Sequence, residues 1–200
     1  MNLGWKLAAT IQGKAPDGLL DSYQTERYPL GAQVLDWSRA QVLVMRPDSN
    51  ARALNAILHD LMDTRDGATY FAGRVWGLTT RYDLGGDHPL VGHSVPNFEF
   101  EDGTTIGELM RDGRGVLLDF SGNASLENLA RGYRDRINFV SGLAKEQLGL
   151  STALIRPDGF IAWASDNEPD DPINQTDGRS LVRLLRHEED TMNSPVTIVQ

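Results

Sequence analysis

The chain contains no cysteine in its 200 residues, which removes disulfides, thiolate nucleophiles, Cys-x-x-Cys redox pairs and thiolate metal sites together. A thiol redox protein is excluded whatever the fold. Positive charge is scarce, with 19 Lys plus Arg against 28 Asp plus Glu and a net charge of −9. No local basic patch offsets it, so phosphate backbones and anionic lipid surfaces are repelled, and neither nucleic acid nor membrane is an expected partner. No apolar run approaches the ~20 residues that span a bilayer, and the basic start, apolar run and cleavage site of a signal peptide are absent. The expected compartment is the cytoplasm. Nucleotide cradles are missing too: the one Gly-x-Gly pair, Gly113 and Gly115, has Leu118 where a G-x-G-x-x-G fingerprint needs its third glycine. Neither G-x-x-x-x-G-K-[ST] nor G-x-S-x-G occurs. Internal repeats are absent, and the acidic, proline-bearing stretch from Asp166 to Gly178 reads as a solvated loop.

What is present begins abruptly. Apolar residues make up 40% of the chain, enough for a sizeable core. The opening MNLGWKLAAT places Leu3, Leu7 and Ile11 on one helical stripe, with Trp5 and Ala9 on nearly the opposite side. A helix apolar almost all round is expected to be buried. Uncovering Leu3, Trp5, Leu7 and Ile11 would forfeit roughly 6 to 12 kcal/mol at about 1.5 to 3 per side chain, an upper estimate. Since a domain has only ~5 to 15 kcal/mol of net stability, this helix is expected either to repack on the other helices or to meet a partner.

The first 77 residues read as helical, and Gly13 is placed to cap the first helix. Leu30, Val34, Trp37 and Gln41 run along one face of a second helix, in which Pro29 should produce a kink or a restart. Leu54, Ile57, Leu58, Leu61 and Met62 define a third, with Ser49 or Asn50 as its cap, and a shorter helix carries Tyr70, Phe71 and Val75. From 78 to 96 the glycines and prolines of LTTRYDLGGDHPLVGHSVPN suit a connecting or docked loop.

Residues 97–187 alternate between sheet and helix signals, and 188–200 form a tail. A short strand is expected around Asn97 to Phe100, and Thr105 with Glu108 forms a capping box. GVLLDF reads as a strand covered on both faces, residues from Ala124 to about Gly132 as a helix, and INFVSGL from Ile137 as another buried strand. TALIRPDGFIAWA is two strands joined by Arg156-Pro157-Asp158-Gly159, an antiparallel hairpin. A final helix carries Leu181, Leu184 and Leu185, with Asp177 near its start. The fold class is therefore α/β: a helical segment followed by a thioredoxin-like domain, a central mixed sheet flanked by helices, without redox cysteines.

Candidate chemistry is sparse. His88 and His93, with Asp87, lie on a Gly/Pro-rich loop without a third histidine, a poor basis for a metal site. His59 sits on the polar side of its helix and His187 at a helix end, both solvated. Asp170-Asp171 and Glu188-Glu189-Asp190 read as surface charge, because a general acid needs a partly dry cleft. Arg81 and Tyr82, on a glycine-flanked loop between two domains, are candidates for contacting a ligand or, better, for anchoring the domains.

NLGWKLA, PDGLLDSYQTERYPLGAQVL, RYDLGGDHPLVG, GRGVLLDF and LIRPDGFIAWA, in this order and spacing, resemble the C-terminal part of the FAD-dependent aromatic hydroxylases, of the polyketide and phenol type. The Tyr-x-x-Glu-Arg-x-Pro pattern from Tyr23 to Pro29 and the stretch Asn2 to Leu7 carry much of the likeness. The resemblance implies a parent that uses NAD(P)H to reduce FAD and O2 to hydroxylate a phenolic ring. In that family the NLGWKLA helix runs through the interior of the FAD domain, and the flavin-contacting segments would lie before Met1. Asn2 is then at best a neighbour of the flavin, no residue of this chain is expected to be catalytic, and the chain by itself is expected to hold neither FAD nor NAD(P)H. Its implied partner is a polypeptide supplying the FAD domain, or a second copy in a homodimer. The competing reading is a stand-alone, non-catalytic thioredoxin-like binding or dimerisation module.

Overall fold

The computed structural model describes residues 1–167. The expected last helix with Leu181, Leu184 and Leu185, and the tail at 188–200, lie outside them. By contacts the chain divides into two compact units, one of Met1–Tyr23 together with Tyr82 onward, the other of Gln24–Arg81.

The Gln24–Arg81 unit is helical. It holds most of α2 (Ser22–Val44), then α3 (Ser49–Met62) and α4 (Arg65–Val75), the helix expected around Tyr70 and Phe71. Pro29 neither ends nor restarts α2, which runs through it as one 23-residue helix. One missing N–H breaks a single rung of the ladder, and the turns on either side persist. The cap of α3 is Asp48 rather than Ser49 or Asn50: its carboxylate accepts from the Ala51 N–H at 2.9 Å, where the negative charge also suits the helix dipole. Thr64 caps α4 by accepting from the Gly67 N–H at 3.1 Å, while its hydroxyl donates to the Leu61 carbonyl at 2.7 Å. Trp37 packs on Phe71, with ring centroids 5.7 Å apart, and the Arg74 guanidinium lies over both Trp37 and Tyr70.

The other unit is built on a four-stranded mixed sheet of order β2-β1-β3-β4. β1 (Gly115–Asp119) is buried along its whole length, as a strand covered on both faces should be. It runs parallel to β2 (Ile137–Ser141) and antiparallel to β3 (Thr152–Ile155), which pairs with β4 (Ile161–Ser165) through the Arg156–Phe160 turn. Among the described residues β2 pairs only with β1 in this sheet and is half-exposed, not the fully buried strand its apolar sequence suggests. At the sheet margin one face has less to cover it.

Side-chain alternation along β1 divides the core. Val116 and Leu118 join Ala153, Ile155 and Ile161 beneath Phe98, Phe100 and Ile106, whereas Leu117 faces Leu126 and Ala130 of α6 (Ala124–Arg131), with Leu154 and Trp163. A register shift at Leu154/Ile155 lets the adjacent Ala162 and Trp163 fall on the same side. Residues 97–100 make isolated bridges, Glu99 to Thr105 and Phe100 to Ala144, in place of the expected strand. The Glu108 carboxylate reaches back to the Thr105 N–H at 3.0 Å, fixing the start of α5 (Ile106–Leu109).

In the first helix, α1 (Asn2–Ile11), the apolar stripe is not the packed face, so the first of the two expected outcomes, burial by repacking on the other helices, is not what the described residues show. Leu3 and Leu7 are 42% exposed and Ile11 76%, while its buried residues are Asn2 and Lys6. It packs in the same unit as the sheet, and it does so by its polar side.

Candidate functional site

Two polar assemblies stand out in the sheet-containing unit. The first surrounds α1. Arg156 and Asp158, either side of Pro157 in the β3–β4 turn, form a two-point ion pair: Nε donates to Oδ1 at 3.1 Å and Nη2 to Oδ2 at 2.7 Å. Their side chains are 8% and 2% exposed. The same Oδ2 accepts from Asn2 Nδ2 at 3.0 Å, across 156 residues of sequence. The Arg156 guanidinium lies 5.1 Å from the Trp5 ring and 5.5 Å from the Tyr82 ring, inside the ~6 Å reach of cation–π attraction. Tyr82 in turn packs on Phe160 at 4.3 Å. Lys6 Nζ donates to Ser22 Oγ at 2.7 Å, and Ser22 Oγ to the Leu19 carbonyl at 2.6 Å. Further along, Lys14 pairs with Asp135 at 3.0 Å, a contact that holds the Asp135 carboxyl below its usual range.

The second assembly is the β1–α6 turn. Asp119, 1% exposed, accepts from the Ser121 N–H (2.9 Å), the Ser121 hydroxyl (2.7 Å), the Gly122 N–H (3.1 Å) and the Asn123 N–H (2.7 Å). Asn123 then caps α6 by accepting from the Ser125 N–H at 2.9 Å. A thiol placed at this helix N-terminus would be acidified. The sequence puts Ser121, Gly122 and Asn123 there instead, and the carboxylate consumes the turn's donors.

Of the residues singled out from sequence, Asn2 and Tyr82 enter the first assembly. Tyr82 is buried, its N–H donating to the Gly92 carbonyl at 2.9 Å. Arg81 is exposed and belongs by contacts to the helical unit. His88 donates from Nε2 to Asp166 at 3.0 Å if Nδ1 accepts, as it does here from the Leu90 N–H at 3.2 Å. His93 makes no comparable pair with it. Sequence reasoning missed Lys6, Asp119, Arg156 and Asp158. The signal for the last two was available: an Arg and an Asp two apart at the mouth of a hairpin whose strands are otherwise apolar.

A family model for the C-terminal region of aromatic-ring hydroxylases matches residues 88–188, and one for an FAD-binding domain matches residues 1–38. The chain belongs to the aromatic-ring hydroxylase family. A monooxygenase of Claviceps purpurea is 46% identical over 169 residues, covering 84% of this chain and 33% of the relative. The rifampicin monooxygenase of Streptomyces venezuelae is 36% identical, with 84% and 34% covered. The solved anhydrotetracycline hydroxylase of Streptomyces rimosus superposes with a TM-score of 0.78 at 37% identity, covering 90% of this chain and 38% of that one. The chain thus spans about a third of the length of the curated relatives it matches and corresponds to the C-terminal portion of such hydroxylases.

The sequence has no dinucleotide fingerprint. A cavity of about 290 Å³ beside Gly85, Gly86, His88 and Trp163 lies at the small end for any organic ligand. Among the described residues no helix is long and apolar enough to cross a membrane.

Proposed function

We propose that this chain acts as the C-terminal module of an FAD- and NAD(P)H-dependent aromatic-ring monooxygenase and carries no flavin chemistry by itself. The observation that supports this most directly is the polar seam between residues matched by two family models: Asn2 and Trp5 in the FAD-binding stretch, Arg156 and Asp158 in the hydroxylase C-terminal stretch. On this reading the thioredoxin-like domain braces the helical end of an FAD-binding domain. Its substrate would be a multi-ring aromatic of the polyketide kind, in keeping with the rifampicin and anhydrotetracycline oxygenases among its relatives. The partner would be a polypeptide carrying the rest of the FAD-binding domain. The exposed stripe of Leu3, Leu7 and Ile11 supports such a contact.

A second reading, a stand-alone binding or homodimerising module, draws on the fact that α1 and the sheet already form one compact unit. Visible spectra of the purified chain after incubation with FAD and gel filtration test the proposal. No flavin absorbance should travel with the chain alone, and a stoichiometric flavin band would overturn the assignment. Co-expression with the N-terminal two-thirds of the Claviceps relative should yield a co-purifying pair. A stable homodimer that ignores that partner would favour the second reading.

A further inference from the structure

We propose that Arg156 and Asp158 are positioning residues that latch helix α1 in a single rotation and axial position, so that the hairpin turn of the hydroxylase domain sets the pose of the flavin-binding module's helix. This rests on the reading of α1 as part of that module.

Ten residues are too few for a helix to persist in water on its own. α1 therefore needs a tertiary hold, yet none of its apolar residues is fully buried. The hold comes from Asn2, Trp5 and Lys6. Apolar contact is non-directional and would let a helix roll or slide. A hydrogen bond from Asn2 Nδ2 to Asp158 Oδ2 fixes the end of the helix, and the Trp5 ring against the Arg156 guanidinium fixes its rotation. The gripping side is itself rigid. The Gly159 N–H donates to the Arg156 carbonyl and the Arg156 N–H to the Phe160 carbonyl, each at 2.9 Å. Gly159, at φ +85°, closes a turn that a side chain would strain. Asp158 orients Arg156 through both carboxylate oxygens, and Tyr82 packs beside the guanidinium. A planar fork between two rings has one orientation, which lysine cannot reproduce.

Hydrogen-exchange mass spectrometry on the full chain tests the latch, using Asn2→Ala, Asp158→Ala, the double variant and Arg156→Lys. Each Ala substitution should speed exchange across α1 on the order of tenfold, the equivalent of one charge-assisted hydrogen bond. The double variant should be no faster than Asp158→Ala, Arg156→Lys should lose protection across α1 despite keeping its charge, and β1 and α6 should exchange as in the parent. Should Asp158→Ala not fold, Asn2→Ala decides alone, because it trims one side chain at the second residue. Wild-type exchange of α1 in Asn2→Ala, or two Ala effects that multiply independently, would sink the latch. A loosened α1 in a chain that ignores the Claviceps FAD-domain polypeptide would keep the latch and remove the flavin-module reading. An unmoved α1 in a chain that does associate would do the reverse.

Discussion

Asp119 is a carboxylate whose environment is made by Ser121, Gly122 and Asn123, just beyond Phe120. Its two oxygens take three backbone N–H groups and a hydroxyl, so the turn into α6 depends on one side chain. Asp119→Ala should leave the N–H groups of Ser121, Gly122 and Asn123 without that acceptor, at a cost of at least about 1 to 3 kcal/mol. Urea unfolding should record this as a lower midpoint with an unchanged slope. Asp112 behaves differently because it is partly exposed. Hydrogen bonds from the Arg114 guanidinium and then from Asn138 lower its carboxyl to about 2. A carboxyl depressed on folding stabilises above its unfolded pKa of ~3.9 and loses that contribution as pH falls through the folded value. The stability gap between the parent and Asp112→Asn should therefore be flat above about pH 5 and close between about pH 4 and pH 2. Solvent screening keeps it small, and added salt should shrink it further. Neither residue was legible as a site in the sequence. Asp119 reads as the polar end of an apolar strand, and its partners are backbone donors that no side-chain pattern reveals.

At the scale of elements, legibility follows the range of the interactions. The Thr105–Glu108 capping geometry, the fully covered β1 and the Arg156–Phe160 hairpin were readable because their determinants lie within a few residues of one another. Which face of α1 packs was not legible, because its partners are at Arg156 and Asp158. Periodicity identifies a helix and its apolar stripe, but it does not say which face is packed when a distant ion pair offers the polar face a better partner. The α3–α4 corner gives a test that was equally hidden. A Cβ on Gly67 would stand 1.9 Å from the Leu61 carbonyl oxygen, with backbone on both sides of the contact. Nothing there can swing away. Gly67→Ala should cost about 1 to 3 kcal/mol through forced backbone movement, read as a lower Tm. Gly73→Ala, whose nearest neighbour is the Thr79 Cγ2 at 3.1 Å, should cost clearly less.

At the scale of the whole molecule, the two units distribute apolar surface very differently. The sheet-containing unit buries its aliphatic residues on both faces of the sheet, whereas α2 has no buried residue, and Met45 (81% exposed) and Trp76 (74%) are left in solvent with Leu35, Val42 and Val75. Soluble monomers rarely expose contiguous apolar patches beyond a few hundred Å². Of these helices α2 begins within the stretch matched by the FAD-binding domain model, and the Claviceps relative is about two and a half times as long as this chain. Exposed apolar side chains of this number favour association. In isolation the chain should therefore associate through these helices. Since excluded salts strengthen apolar contact, light scattering should rise in sulfate and fall in dilute urea. Leu35→Glu combined with Val42→Glu should lower the scattering while far-ultraviolet circular dichroism stays that of the parent, because both side chains are exposed in the folded unit. Electrostatic association predicts the opposite salt response, with sulfate dispersing the aggregate. A parent chain that stays monomeric in sulfate would mean that its apolar helices are covered internally, and the case for a partner on α2–α4 would then fail even if the latch on α1 held.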